Sequence, residues 1–171
     1  IQDWSKYPFF IRKARPDIKP IANSLNELWK EFGKETIDIK CSECISTFLT
    51  MKNPFIVPGG RFREIYYWDT YFILQGLFSS EMFDTAKGII QNLNRSQPPL
   101  LIQMVRLYLE NTDDKIQVLQ WLPTLEKEIG FWINNRSIEV DFNDDTYHLF
   151  RYDVDNSLPR PEAYIRDEEV G

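Results

Sequence analysis

Pro58-Gly59-Gly60-Arg61-Phe62-Arg63-Glu64-Ile65-Tyr66-Tyr67-Trp68-Asp69-Thr70-Tyr71-Phe72 is the stretch on which the reading of the chain turns. Pro58 fixes a turn, and the paired glycines permit positive φ and close backbone approach. The spacing therefore predicts a helix that begins at Arg61, with a ligand pressed against its first turn. At ~100° per residue, Arg61, Glu64, Trp68 and Phe72 fall on one stripe, with Asp69 about a quarter turn aside. Cation, carboxylate and aromatic rings together suit a sugar: Arg and Asp partner hydroxyls and Trp offers a flat face to C–H groups, without a metal. The plainer reading of the same residues is a core stripe of Phe62, Ile65, Trp68 and Phe72, with Arg61, Glu64 and Asp69 solvated or paired.

On either side of this stretch the pattern is helical. Upstream, Ile18, Ile21, Leu25, Leu28, Trp29 and Phe32 recur at helical spacing before Gly33, a C-terminal stop. The central helix is expected to run to about Phe78, with Ser79 and Ser80 capping the next, whose apolar face is Met82, Phe83, Ala86, Ile89, Ile90 and Leu93. Pro98 and Pro99 mark a further helix start, continued by Leu100, Leu101, Met104, Val105 and Tyr108. From Asp113 the pattern resumes, and Pro123 either kinks that helix or starts a new one. Leu125, Ile129, Trp132 and Ile133 form the next stripe, with Glu126, Lys127 and Glu128 as its solvated face. Ile138–Phe142 alternates, Asn143-Asp144-Asp145 is a turn, and Thr146–Tyr152 is rich in β-formers, which reads as a hairpin carrying His148 as a structural residue. Lys34–Asn53 is weakly periodic, with a short helix over about Ser42–Met51.

Composition bounds the rest. The 171 residues, 43% hydrophobic and 15% aromatic, suffice for one folded domain. Its parts are an extended arm over 1–17, helices over 18–136, a hairpin over 137–152 and a loop or tail over 153–171. A net charge of −6 argues against nucleic-acid and anionic-membrane partners. No apolar run is long enough to span a membrane, and the first residues do not read as a signal peptide. Cys41 and Cys44 with the single His148 argue against structural zinc. They read as two ordinary thiols, or as one local disulfide if the chain is extracellular. Two sequons, Asn94-Arg95-Ser96 and Asn135-Arg136-Ser137, are present, of which the second is the glycan site expected of a secreted chain.

The run from Pro58 to Phe72 resembles the signature of the trehalases, the glycoside hydrolases that cleave α,α-trehalose, with Phe72 where that family more often carries Trp. Arg95-Ser96-Gln97-Pro98-Pro99 resembles the family's RSQPP, and Arg160-Pro161-Glu162-Ala163-Tyr164 its RPESY, with Ala163 in place of Ser. The resemblance implies an all-α fold, a partial (α/α)6 toroid of paired helices with a small β-hairpin near residues 138–152. It implies sugar contacts from Arg61, Trp68, Asp69, Arg95, Ser96, Gln97, Arg160, Pro161 and Glu162, with no metal and no cofactor. The plain readings of the last two motifs are a polar turn before a Pro-capped helix and a salt-bridged loop.

Trehalases invert configuration with an acid and a base ~6.5–9.5 Å apart. In the family both lie C-terminal to RPESY, so no catalytic residue is expected here, and the chain alone is expected to be inactive. A family loop with an asparagine contact to the sugar has no counterpart between Leu93 and Asn94, through alternative splicing, a gene-model error or genuine loss. The resemblance implies trehalose or glucose units as ligand, a secreted or membrane-anchored location, and self-association through helix faces that an incomplete toroid leaves exposed. The alternatives are a non-enzymatic sugar-binding or interaction isoform, and another α/α-toroid glycosidase acting on maltose or longer glucans.

Overall fold

The computed structural model describes residues 1–37, 41, 43, 50–93 and 100–151. The architecture is mostly helical with two small antiparallel strand pairs, the make-up of a segment of an (α/α)6 toroid. Two compact units are distinguished: Ile1–Asp38 with Thr50–Glu128, and Ile39–Leu49 with Ile129–Gly171.

In the first unit, a short helix α1 (Phe9–Lys13) lies within the N-terminal arm and is followed by α2 (Lys19–Phe32). The arm is tied down by polar contacts. Trp4 Nε1 donates to the Asn26 carbonyl at 2.9 Å, Asn26 Nδ2 donates to the Ser5 carbonyl at 2.8 Å, and the Thr85 amide donates to Asp3 at 2.9 Å. These contacts decide which face of α2 is covered. Ala22 and Asn26 are buried, whereas Ile18, Ile21 and Leu25 of the expected apolar stripe are exposed by 45%, 62% and 58%. α2 stops at Gly33 as expected, and Gly33 is extended, opening β1 (Gly33–Lys34), which pairs antiparallel with β2 (Phe55–Ile56).

The core is built on α3 (Tyr67–Ser79), α4 (Phe83–Asn92) and α5 (Leu101–Thr112), where Leu74, Leu77, Met82, Ala86, Ile89 and Met104 are essentially sealed from solvent. Ser79 and Ser80 do not cap α4, whose N-cap residue Met82 makes no side-chain cap bond and whose first turn is met by the Asp3 carboxylate at the Thr85 amide. Ser80 Oγ instead accepts from Trp29 Nε1 at 2.9 Å. Glu81 supplies the left-handed residue (φ 60) that ends α3, with Met82 N bonding Leu77 O and Glu81 N bonding Phe78 O. The Glu81 carboxylate then accepts the Phe9 amide at the start of α1.

Asp113 (φ 52) closes α5, and Asp114 receives the Gln117 amide at the start of α6 (Lys115–Arg136), which runs unbroken through Pro123. Pro123 therefore does not begin a new helix. In the same α6 the face carrying Ile116, Leu119 and Leu122 is exposed. Only Trp132 of the expected Leu125, Ile129, Trp132 and Ile133 stripe is buried.

In the second unit, β3 (Ser137–Phe142) and β4 (Asp145–Phe150) pair from Ser137↔Phe150 to Phe142↔Asp145. The two-residue turn Asn143-Asp144 has positive φ at both positions (52 and 66), the geometry whose twist matches paired strands. Trp132 packs edge-on against Phe150 at 6.2 Å. Exposed His148 lies 3.8 Å from Glu139 across the pair. Cys41 is disulfide-bonded, while Cys44, most of the expected Ser42–Met51 helix and residues 152–171 lie outside the described residues.

Candidate functional site

The Pro58–Phe72 stretch follows a buried strand, turns sharply in solvent, and only then becomes helix. Phe55, Ile56 and Val57 are 3%, 2% and 3% exposed, and the Val57 amide donates to the Phe32 carbonyl at 3.0 Å, so the chain enters the turn from the core. Gly59 and Phe62 exchange both backbone hydrogen bonds, at 3.3 and 3.1 Å, which closes a tight reversal with Gly60 and Arg61 at its corners. Gly59 has φ 106, and a Cβ there would meet the Phe32 ring at 3.0 Å. That close approach is what the glycine allows.

The helix does not begin at Arg61. Tyr66 is still extended (φ −108, ψ 127), and α3 starts at Tyr67. Arg61 and Glu64 therefore leave the predicted stripe, while Trp68 and Phe72 keep it as an edge-on ring pair at 6.5 Å. Both rings are largely exposed, by 59% and 61%, so the core reading of these two does not hold.

Arg61 is exposed on the turn, its guanidinium 5.0 Å from the centroid of Phe62. Asp69 sits in the first turn of α3, half-exposed, where the helix dipole favours a negative charge. Among the described residues, neither Arg61, Glu64 nor Asp69 enters an ion pair. Of the expected sugar contacts, the described ones are thus Arg61, Trp68 and Asp69, all reachable from solvent. Arg95, Ser96, Gln97, Arg160, Pro161 and Glu162 lie outside the described residues.

Two residues next to the site escaped the sequence reading. Tyr67 is 4% exposed, and its hydroxyl accepts the Leu101 amide at 2.8 Å and donates to Glu128 Oε1 at 2.6 Å. Glu128 is therefore not part of a solvated face. Its second oxygen is buried without a hydrogen-bond partner among the described residues. Burial pushes the Glu128 carboxyl above the ordinary glutamate value, opposed by the Tyr67 hydroxyl and the amides of Ile102 and Leu101. Burial, reinforced by Glu128, pushes the Tyr67 phenol up as well. The one available signal was Tyr67 itself, a ring with a polar tip that needs a partner once buried.

Two cavities lie elsewhere. One of about 150 Å³ is lined by Ile90, Gln91, Leu93, Leu101, Val105, Trp121, Thr124 and Leu125. The other, of about 280 Å³, gathers Asp3, Glu35, Asn53 and Asp84. Neither includes Arg61, Trp68 or Asp69. No group of His, Cys, Asp and Glu among the described residues is arranged to hold a metal. No helix among them is long and apolar enough to cross a membrane.

A family model described as "Trehalase" matches residues 2–171. The chain is similar to the trehalase of Apis mellifera, 39% identical over 186 residues that cover 96% of the chain and 30% of the relative. It is also similar to those of Oryctolagus cuniculus (38% over 189 residues, 98% and 33%) and Homo sapiens (37% over 189 residues, 98% and 32%). The chain thus spans about a third of the length of the curated relatives it matches. Each matched span exceeds the 171 residues of the chain, so within it the relatives carry residues that have no counterpart here.

Proposed function

The chain belongs to the trehalase family, and we propose that its residues form part of an α,α-trehalose site serving an inverting hydrolysis to two glucose molecules. One observation carries this reading: Arg61 on the glycine reversal and Trp68 and Asp69 in the first turn of α3 are all open to solvent, and among the described residues neither Asp69 nor Arg61 enters an ion pair. A pyranose stacks its C–H face on such a ring while its hydroxyls bond the flanking guanidinium and carboxylate.

In this reading Trp68 stacks and Arg61 and Arg95 donate. Asp69 and Glu162 accept from sugar hydroxyls, while Ser96, Gln97 and Pro161 complete the contacts. The proton-transferring acid and base are not among these residues. Glu128, a carboxyl raised by burial, is committed to Tyr67 and to the start of α5, so it does not fill the role. Losing both groups forfeits proton transfers typically worth ~10²–10⁴-fold each, so the 171 residues bind without turnover. A span in the relatives with no counterpart here supports a missing sugar-binding loop. The disulfide at Cys41 supports an oxidising, secretory location.

Trehalose titration, followed by tryptophan fluorescence and with glucose release assayed in parallel, tests the proposal. Saturable binding without glucose release is the expected result. Turnover that Asp69→Asn abolishes would contradict the assignment of Asp69 to binding. A non-catalytic interaction role is the second reading, favoured by the exposed Ile21 and Leu25 of α2 and Ile116 and Leu119 of α6.

A further inference from the structure

Helix α5 begins without a cap of its own. Its N-cap residue, Leu100, offers no side-chain oxygen, and no side chain of the helix's own first turn takes up the free amides. What satisfies the first of them comes from elsewhere in the chain. The Tyr67 hydroxyl, at the first position of α3, accepts the Leu101 amide in a buried hydrogen bond of 2.8 Å. Glu128 of α6 anchors that hydroxyl at 2.6 Å and lies close enough to the Leu101 and Ile102 amides for them to favour its charge.

Tyr67 immediately precedes Trp68 and Asp69 in the chain. Leu101 is the second residue after the diproline motif that carries Arg95 and Gln97. One hydroxyl therefore ties the first residue of α3, next to Trp68, to the first residue of α5. A buried tyrosine with both hydrogen-bond roles filled is held in place, because its ring has only two torsions and its tip is bonded on both sides.

We propose that Tyr67, held by Glu128, is a positioning residue for trehalose binding, setting Trp68 and Asp69 against the start of α5. This rests on the sugar-site reading above. Neither side chain needs to touch the sugar. Sub-ångström misplacement of contact groups is enough to weaken a polyhydroxyl ligand, whose hydrogen bonds are individually modest and collectively geometric.

The test is a trehalose titration of the 171-residue chain followed by tryptophan fluorescence, with thermal midpoints measured by circular dichroism. Each Kd is taken well below the midpoint of its variant. Tyr67→Phe removes the hydroxyl and is expected to raise Kd about tenfold, the equivalent of one hydrogen bond's worth of alignment. Glu128→Gln keeps an acceptor for Tyr67 and is expected to hold Kd within about twofold, whereas Glu128→Ala should follow Tyr67→Phe. Unchanged affinity in a folded Tyr67→Phe, beside normal saturable binding by the wild type, overturns the positioning role and leaves the sugar site standing. If Tyr67→Phe does not fold, the Glu128 pair decides alone, and equal affinities of the Gln and Ala variants overturn the role. A wild-type chain that shows no saturable binding removes the sugar site and the positioning role together.

Discussion

Replacing Gly59 by alanine tests whether the reversal before Arg61 is held as tightly as its geometry implies. At φ 106 an L side chain has no comfortable conformation, and strain of this kind costs about 1–3 kcal/mol. The new Cβ would also stand 3.0 Å from two carbons of the Phe32 ring, whose backbone is held where its carbonyl accepts the Val57 amide. Forcing an extra methyl into such a contact adds about 1–3 kcal/mol. A total near about 3 kcal/mol corresponds to a midpoint lower by about 6–12 °C in a chain of this size. Gly60 is the control. Its φ of 59 is the left-handed region, and a Cβ there meets nothing within 4 Å. Gly60→Ala should therefore cost about 1 kcal/mol or less once the lost freedom of the unfolded chain is counted. Thermal unfolding followed at 222 nm measures both. Equal midpoints for the two variants would refute the argument, because it predicts that only Gly59 is pressed against a neighbour.

Glu128→Gln should be at least as stable as the wild type at about pH 7. The folded carboxyl is raised above its unfolded value, so its favourable contribution is fully present below the unfolded value and is lost as pH rises through the folded one. Midpoints measured from about pH 4 to about pH 7 should show the wild type losing ground to the glutamine variant as pH rises, and a constant gap would contradict this. Trp68→Ala should leave the midpoint within about 2 °C, because the ring is exposed, while abolishing detectable trehalose binding in the fluorescence titration. Placing lysine at both Ile21 and Leu25 should lower any apparent mass above the monomer in multi-angle light scattering, since an exposed apolar stripe drives association. An unchanged oligomer would move the contact elsewhere.

Where local chemistry decides, the sequence was a good guide. Asn143-Asp144-Asp145 between alternating stretches pointed to a hairpin, and the hairpin forms with a turn one residue shorter, Asp145 joining β4 opposite Phe142. The ends of α3 show the opposite. Periodicity ran on through Phe62 and Ile65 and so placed the start six residues early. The backbone hydrogen bonds between Gly59 and Phe62, and the extended Tyr66, decide otherwise. The face of α2 was misread for a similar reason. Apolar spacing favoured Ile18, Ile21 and Leu25, but Asn26 is buried by polar contacts with Trp4 and Ser5, residues more than 20 positions away. Glu128 looked solvated because its partners, Tyr67 and the start of α5, are distant in sequence and near only in the fold. At the candidate site, the motif singled out Arg61, Trp68 and Asp69. Their exposure, and the absence of an ion pair at Arg61 and Asp69 among the described residues, were not legible, since these depend on where the neighbouring chain goes.

The borrowed cap on α5 also bears on the order in which the chain acquires structure. A helix that closes its own first turn can flicker into being from nearby residues. One that waits for a phenol 34 positions earlier and a carboxylate 27 positions later has no such head start. α5 should consolidate together with α3 and the first part of α6, and its early amides should exchange with solvent in step with those of Tyr67 and Thr70. A cut between α3 and α5 that lets them separate would then unravel α5 first, although no bond in it had been touched.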